Sequence, residues 1–264
     1  ALTANTTGSP NTAVGTSAMA ANTTGTFNTG IGTSALASNT TGSNNTALGY
    51  QALQNNLASE NTAVGSNALS NNSAGSRNVA LGHNALRDNT TGLYNTAVGH
   101  ISLVANTSGL ENTAVGQESL AANTTGRGNT ALGTLSLSSN TSGQNNVGVG
   151  LGALGSNTIG TRNIGLGNAS LSAIIDGADN IALGFSAMGS KTTGSQNIGI
   201  GYRSLFSNAS GTGNLALGYE AGFNETGSNK LYIENSNADA DNALIYGEFD
   251  TNFLRVNGRT AITA

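Results

Sequence analysis

Asn95-Thr96-Ala97-Val98-Gly99-His100-Ile101-Ser102-Leu103-Val104-Ala105-Asn106-Thr107-Ser108-Gly109-Leu110-Glu111 is followed at once by Asn112-Thr113-Ala114-Val115-Gly116, so the motif returns after 17 residues. Outward from it, the opening asparagine recurs at Asn11, Asn28, Asn45, Asn61, Asn78, Asn95, Asn112, Asn129, Asn146, Asn163, Asn180, Asn197 and Asn214, every interval being 17 residues except one of 16 between Asn45 and Asn61. A fixed period of this kind marks a stacked-repeat architecture.

Counting the opening asparagine as the first position, the third is always Ala or Gly, the fourth Val, Leu or Ile, the fifth Gly, and the eighth Ala or Ser. The ninth is Leu or Met until it becomes Gly222 in the last unit. The sixth, seventh, tenth, eleventh, sixteenth and seventeenth positions vary freely and carry most of the charges, so they are expected to face water. Apolar stretches this short, broken by Gly and by Asn-Thr-Thr-Gly, do not make helices of ordinary length. The pattern predicts an all-β fold, a parallel β-solenoid or β-roll. Thr-Ala-Val-Gly and x-Ala-Leu-x are its expected strands, and Asn-Thr-Thr-Gly its turn, with Gly or Asn at positive φ. Stacking at about 4.8 Å per coil would place identical residues above one another over roughly 60 Å. Asparagines at the first and twelfth positions would form amide ladders, threonines at the second and thirteenth would suit a half-buried strand, and Arg162 would pair with Asp179 one coil on.

The expected domain boundary follows Phe223. Residues 1–223 form the coils, and 224–264 lose the period and regain charge, with Glu225, Lys230, Glu234, Asp239, Asp241, Glu248, Asp250, Arg255 and Arg259. Strand-like runs at Lys230 to Glu234, Ala243 to Glu248 and Phe253 to Val256 predict a C-terminal β cap that stops stacking and sets trimer register. Ala1 to Gly8 match the eighth to fifteenth positions, so the chain opens in mid-coil and is expected to be a fragment or mature product. With two large aliphatic side chains per coil the core is thin, and the small third and eighth columns look suited to close approach of another backbone. A homo-oligomer is therefore expected.

Composition bounds the function. Glycine occurs 38 times, proline once and cysteine never, and net charge is −4. The absence of cysteine removes disulfides and thiolate metal sites and leaves the compartment open. No apolar run is long enough to span a bilayer as a helix, and the nine Lys and Arg form no basic stripe, so neither membrane insertion nor nucleic-acid binding is expected.

The repeated Asn-Thr-Ala-Val-Gly-x-x-Ala-Leu resembles the short coils of trimeric autotransporter adhesin heads, whose repeats are typically shorter. It resembles more closely the tail-fibre-domain proteins, in which such arrays end in a segment like Gly218 to Ile233, continued here by Ala243 to Glu248 and Leu254 to Gly258. The resemblance covers essentially the whole chain. It implies three β-rolls, intertwined or packed side by side, as a homotrimer and a structural fibre for surface attachment or adhesion, outside the cell, at the cell surface or on a virion or injection particle. Members of the group often carry a self-cleaving chaperone domain after such a segment.

No catalytic, cofactor-binding or metal-binding residue is assigned, and the chain is not expected to be an enzyme. His83 and His100 share the variable sixth position of adjacent units and read as a solvated surface pair. Six Asp are too few for a repeat-bound calcium ladder. Sequons at Asn5, Asn22, Asn39, Asn89, Asn106, Asn123 and Asn140 fall on the twelfth position, where a structural turn explains them better than glycosylation. Phe185, Tyr202 and Tyr219 share the sixth position of three consecutive units and form a candidate binding ladder for a surface glycan or receptor. The alternative to a spacer is a binding face along the repeats, for glycan or for ice, the latter motivated by paired Thr at the thirteenth and fourteenth positions.

Overall fold

The structure is a computed structural model describing residues 1–258; Arg259 and the rest of the expected C-terminal segment to 264 lie outside the described residues. The fold is an all-β parallel β-solenoid, with no helix among the described residues. The chain divides into two compact units, Ala1–Asn145 and Asn146–Ala264. The first contains β1 (Asn11–Val14), β2 (Asn28–Ile31), β3 (Thr46–Leu48), β4 (Thr62–Val64), β5 (Val79–Leu81), β6 (Thr96–Val98), β7 (Thr113–Val115) and β8 (Thr130–Leu132). The second contains β9 (Val147–Val149), β10 (Ile164–Leu166), β11 (Ile181–Leu183), β12 (Ile198–Ile200) and β13 (Leu215–Leu217), followed by β14 (Lys230–Ile233), β15 (Ile245–Glu248) and β16 (Phe253–Val256). Within each unit, coil strands pair in parallel and in repeat register, as in Ala97↔Ala114 and Ile181↔Ile198.

Each coil has one strand where two were expected. The segment x-Ala-Leu-x is not a strand because its seventh and ninth residues turn the backbone left-handed, as at Ile101 (φ 58°) and Leu103 (φ 51°). It still bonds coil to coil, for example from Leu86 N to Ser102 O at 2.9 Å. Positive φ also falls at the seventeenth residue (Glu111, 60°) and the fifth-position glycine (Gly99, 131°); of the turn glycines Gly194 (86°) takes it as expected, while Gly92, Gly109 and Gly126 and the turn's Asn do not. The turn glycine answers to space: a Cβ on Gly109 would meet Asn106 Oδ1 and would stand 2.5 Å from Gly126 O.

Alternation along Thr-Ala-Val decides the core. The third residue points inward (Ala47, Ala63, Ala97, Ala114 and Ala131 are fully buried), opposite the buried ninth-position Leu or Met. Space between them is short: a Cβ on Gly30 would stand 2.9 Å from Met19 Cγ. Only Ala or Gly fits there, so the third and eighth columns fill the chain's own interior and are not available to a neighbouring backbone. Serine is tolerated at the buried eighth position because its hydroxyl donates to the fifth-position carbonyl, as from Ser102 to Gly99 O at 3.1 Å.

The fourth-position aliphatic residue, expected in the core, points outward instead. Val14 is 57% exposed and Leu132 47%. Each coil thus buries one large aliphatic side chain and presents another on the outer face of the sheet.

Asparagine lines the rest of the interior. In the first unit each twelfth-position Nδ2 donates to Oδ1 of the preceding coil's asparagine, at 2.6 to 3.3 Å from Asn22 to Asn140. The first-position asparagines also bond amide to amide, as from Asn112 Nδ2 to Asn95 Oδ1 at 3.2 Å and from Asn197 Nδ2 to Asn180 Oδ1 at 2.8 Å, and do more besides. Their Oδ1 accepts the next coil's backbone N–H (Asn112 N to Asn95 Oδ1, 3.1 Å), and their Nδ2 donates to the turn-glycine carbonyl (Asn95 to Gly109 O, 2.8 Å). That carbonyl also accepts from the twelfth-position amide, Asn106 Nδ2, at 3.0 Å. Two asparagines per coil therefore satisfy a buried carbonyl that the ladder leaves over. The sequon asparagines from Asn22 to Asn140 are fully buried, so their nitrogens cannot carry a glycan in the folded coil.

Strand β14 continues the parallel ladder past the expected boundary, pairing Ala216 with Tyr232, and β15 and β16 then fold back antiparallel. Tyr232 enters the interior third-position column where other coils have Ala or Gly. Gly222, replacing the ninth-position Leu, makes room for it, since a Cβ there would lie 3.1 Å from the Tyr232 ring. Tyr246 packs edge-on against Tyr232 at 5.2 Å, and Lys230 bonds Glu248 at 2.9 Å. Lys230, Tyr246 and Thr251 all donate to the Glu248 carboxylate and hold its pKa down to about 2.

Candidate functional site

Two surface features stand out, and both come from the columns. The first is the outer face of the strands, formed by their second- and fourth-position residues. In β1–β8 the second column is Thr except at Val79, and the fourth is Val, Ile or Leu. In β9–β13 both columns are aliphatic throughout: Val147 and Val149, Ile164 and Leu166, Ile181 and Leu183, Ile198 and Ile200, Leu215 and Leu217. Leu183 and Leu217 are each 44% exposed. Parallel sheets normally have both faces covered, and contiguous aliphatic surface of this kind marks an interaction site.

The second feature is the aromatic strip in the second unit. The expected ladder forms: Phe185 stacks on Tyr202 at 5.6 Å and Tyr202 on Tyr219 at 5.1 Å, with interplanar angles of 12° and 9°. All three are exposed. A second column, missed in the sequence, runs beside it, with Phe206 stacked on Phe223 at 5.3 Å from tenth positions of adjacent coils. Gly189, one coil earlier, leaves space for the Phe206 ring, since a Cβ there would stand 3.0 Å from it. Arg203, also missed, lies with its guanidinium carbon 4.4 Å from the Phe206 centroid and 4.7 Å from that of Phe223. Two aromatics 17 residues apart at the tenth position were a readable signal, the same one that identified the sixth-position ladder.

His83 and His100 stand exposed and stacked, their centroids 5.3 Å apart. No group of three or more potential metal-ligating side chains occurs among the described residues. Arg162 meets Asp179 through two short hydrogen bonds of 2.6 and 2.8 Å, the exposed pair expected one coil apart. A pocket of about 240 Å³ between the 224–226 and 238–240 loops is floored by Tyr232, whose hydroxyl donates to Glu225 at 2.8 Å.

Inside the second unit the twelfth-position ladder changes chemistry: Ile174 and then Lys191 replace asparagine, and both are fully buried. The Lys191 ammonium donates to Gly211 O at 2.6 Å and to Asn208 Oδ1 at 3.1 Å, with no carboxylate among these partners. Burial pushes its pKa down to about 8. The unfolded chain then holds a proton that the folded chain has released between pH about 8 and the ordinary lysine value of 10.5, so stability rises with pH over that window. Tyr232 and Tyr246, whose pKa values burial raises, oppose the rise above pH ~10, where unfolded phenols ionise. Thermal midpoints measured from pH 7 to 10 are expected to climb, and Lys191→Asn is expected to flatten that climb. A pH-independent midpoint in the unmodified chain would contradict the assignment.

Comparison with protein-family models, with curated proteins and with solved structures finds no match to this chain.

Proposed function

We propose that the chain is a non-catalytic structural shaft that self-associates into a homotrimer through its outer sheet face and holds an attachment surface away from the body that carries it. The observation that carries this reading is the doubly aliphatic face of β9–β13, ten side chains of Val, Ile and Leu on one side of a rigid sheet. Burying such surface contributes about 25 cal/mol per Å². Further copies offer the same face in the same coil spacing, so cyclic packing covers it without new chemistry. The number three, and the role as a phage-like tail fibre, injection-system fibre or surface adhesin outside the cell, rest on the resemblance to tail-fibre-domain proteins and adhesin heads. The segment from residue 224 serves as the cap: the Tyr232 plug and the antiparallel β15 and β16 support that role, because a further coil cannot stack on them in repeat register.

Lysine at both Ile181 and Leu183 places two charges at the middle of the face without touching the coil interior. The variant is expected to remain folded by circular dichroism and to sediment as a single chain of 26.1 kDa where the unmodified protein sediments as an oligomer. An unchanged oligomer would exclude this face as the interface.

A second reading, an ice-binding face, is favoured by one observation. The outer face of β1–β8 presents Thr12, Thr29, Thr46, Thr62, Thr96, Thr113 and Thr130 in one rank beside an aliphatic rank, a flatter array than the turn threonines. Thirteenth-position hydroxyls are committed elsewhere, donating to the next coil as Thr107 does to Thr124 O at 3.0 Å. Thermal hysteresis of the purified chain tests this reading, and its absence would exclude it.

A further inference from the structure

Arg203 differs from the other described arginines. Arg77, Arg87, Arg162 and Arg255 hydrogen-bond to carboxylates, and Arg127 bonds Gln144. Arg203 is held by rings instead, its guanidinium carbon 4.4 Å from the Phe206 centroid, 4.7 Å from that of Phe223 and 6.0 Å from that of Tyr202. Glu220 Oε1 stands at 3.9 Å in an ion pair with it, too long for a hydrogen bond. The N–H fork is thus oriented by cation–π contacts and donates no hydrogen bond among the described residues. A planar guanidinium fixed in this way matches a pair of oxyanion oxygens.

The flanking rings narrow the ligand. Phe185, Tyr202 and Tyr219 repeat at 5.1 to 5.6 Å along the coil axis, a spacing on the scale of one sugar ring in a linear chain. Because they stack face to face, their outward sides are ring edges and tyrosine hydroxyls. Aromatic edges carry the positive end of the ring quadrupole. Edges, hydroxyls and guanidinium together favour an acceptor-rich, negatively charged chain over a neutral one.

We propose that Arg203, with Phe206 and Phe223 beneath it and Tyr202 and Tyr219 beside it, forms a binding site for a linear saccharide bearing carboxylate or sulfate groups. The site is made within one chain. It goes beyond the shaft reading, and its binding readout is separate from the oligomeric mass that tests that reading.

Calorimetric titration of the full chain with a hyaluronan hexasaccharide (carboxylate only), a chondroitin sulfate hexasaccharide (carboxylate and sulfate), chitohexaose (neutral) and hexaglutamate tests it. At least one acidic saccharide is expected to bind at least about tenfold more tightly than chitohexaose, the scale of one charge-assisted hydrogen-bonded contact. The hyaluronan and chondroitin arms show whether carboxylate suffices. Arg203→Gln is expected to weaken acidic-saccharide binding by a similar factor with an unchanged thermal midpoint, while Arg127→Gln leaves it unchanged. If Arg203→Gln lowers the midpoint, Arg203→Lys, which keeps charge and stem but loses the fork, provides the binding comparison and is expected to be weaker than the unmodified chain. Failure of both acidic saccharides to bind at millimolar concentration, equal affinity for chitohexaose, tighter binding of hexaglutamate, or full affinity in the Arg203 variants would overturn the proposal.

Discussion

Replacing Asn106 with alanine is expected to destabilise the first unit by about 3–5 kcal/mol. Asn106 donates to Asn89 Oδ1 at 2.8 Å and to Gly109 O at 3.0 Å, and its own Oδ1 accepts from Asn123 at 2.8 Å, all in the fully buried interior. Alanine removes the middle rung and leaves an acceptor on Asn89 and a donor on Asn123 with no water to replace it. Each such orphaned group costs about 1–3 kcal/mol. Gly109 O keeps one partner, Asn95, which limits the loss there. Asn71 is the control: it is exposed, its Nδ2 donating to Asp88 at 3.0 Å and its Oδ1 accepting from Asn55 at 3.3 Å on the solvated surface, and its replacement by alanine is expected to change stability by no more than about 0.5 kcal/mol. Chemical denaturation of the two variants side by side reads the difference. Equal small effects would mean that the amide ladder is not what satisfies the interior.

The second large effect concerns glycine. Gly99→Ala is expected to cost about 4 kcal/mol or more, because two independent constraints meet at that residue. Its φ of 131° lies where side-chain-bearing residues are strained, and a Cβ would stand 2.6 Å from Gly116 O and 2.8 Å from Gly116 C in the next coil. Backbone cannot step aside as a side chain can, so the coils must separate. Gly152 gives the contrast. Its φ of 63° is the left-handed value that Asn84 adopts at the same repeat position, and nothing lies within 4 Å of its missing Cβ. Gly152→Asn is expected to be close to neutral. The same denaturation measurement distinguishes them, and a neutral Gly99→Ala would show that the coils are not packed as closely as their fifth-position glycines imply.

These two residues also show what the sequence made legible. The period was plain from the asparagine and glycine spacing, because stacking repeats the same steric demand at every coil and leaves no freedom at the first and fifth positions. The direction of the side chains was harder to read. Val98 looked like core and Ala97 like contact surface, yet strand alternation with Leu103 facing in from the other side leaves room only for the alanine. Size alone therefore gave the opposite assignment. The second expected strand failed for a related reason: Leu103 at φ 51° adopts a conformation that leucine rarely takes, held by its burial and not by any intrinsic preference visible in the residue.

The candidate binding surface was half legible. Phe185, Tyr202 and Tyr219 follow from column counting, and they stack as that counting implies. Arg203, Phe206 and Phe223 belong to the seventh and tenth columns, and only the turn geometry brings those columns beside the sixth. Lys191 was similarly hidden. It stands in sequence among variable polar residues, but the twelfth position is interior, so its ammonium is buried among carbonyls.

The reversed fourth column matters most for function, since it moves the argument for self-association from the small alanines to the aliphatic face that each chain leaves bare. Sedimentation equilibrium of the unmodified 264-residue chain at micromolar concentration tests that claim most directly. The mass of three 26.1 kDa chains is expected. A single-chain mass under those conditions, with the coils folded, would contradict it.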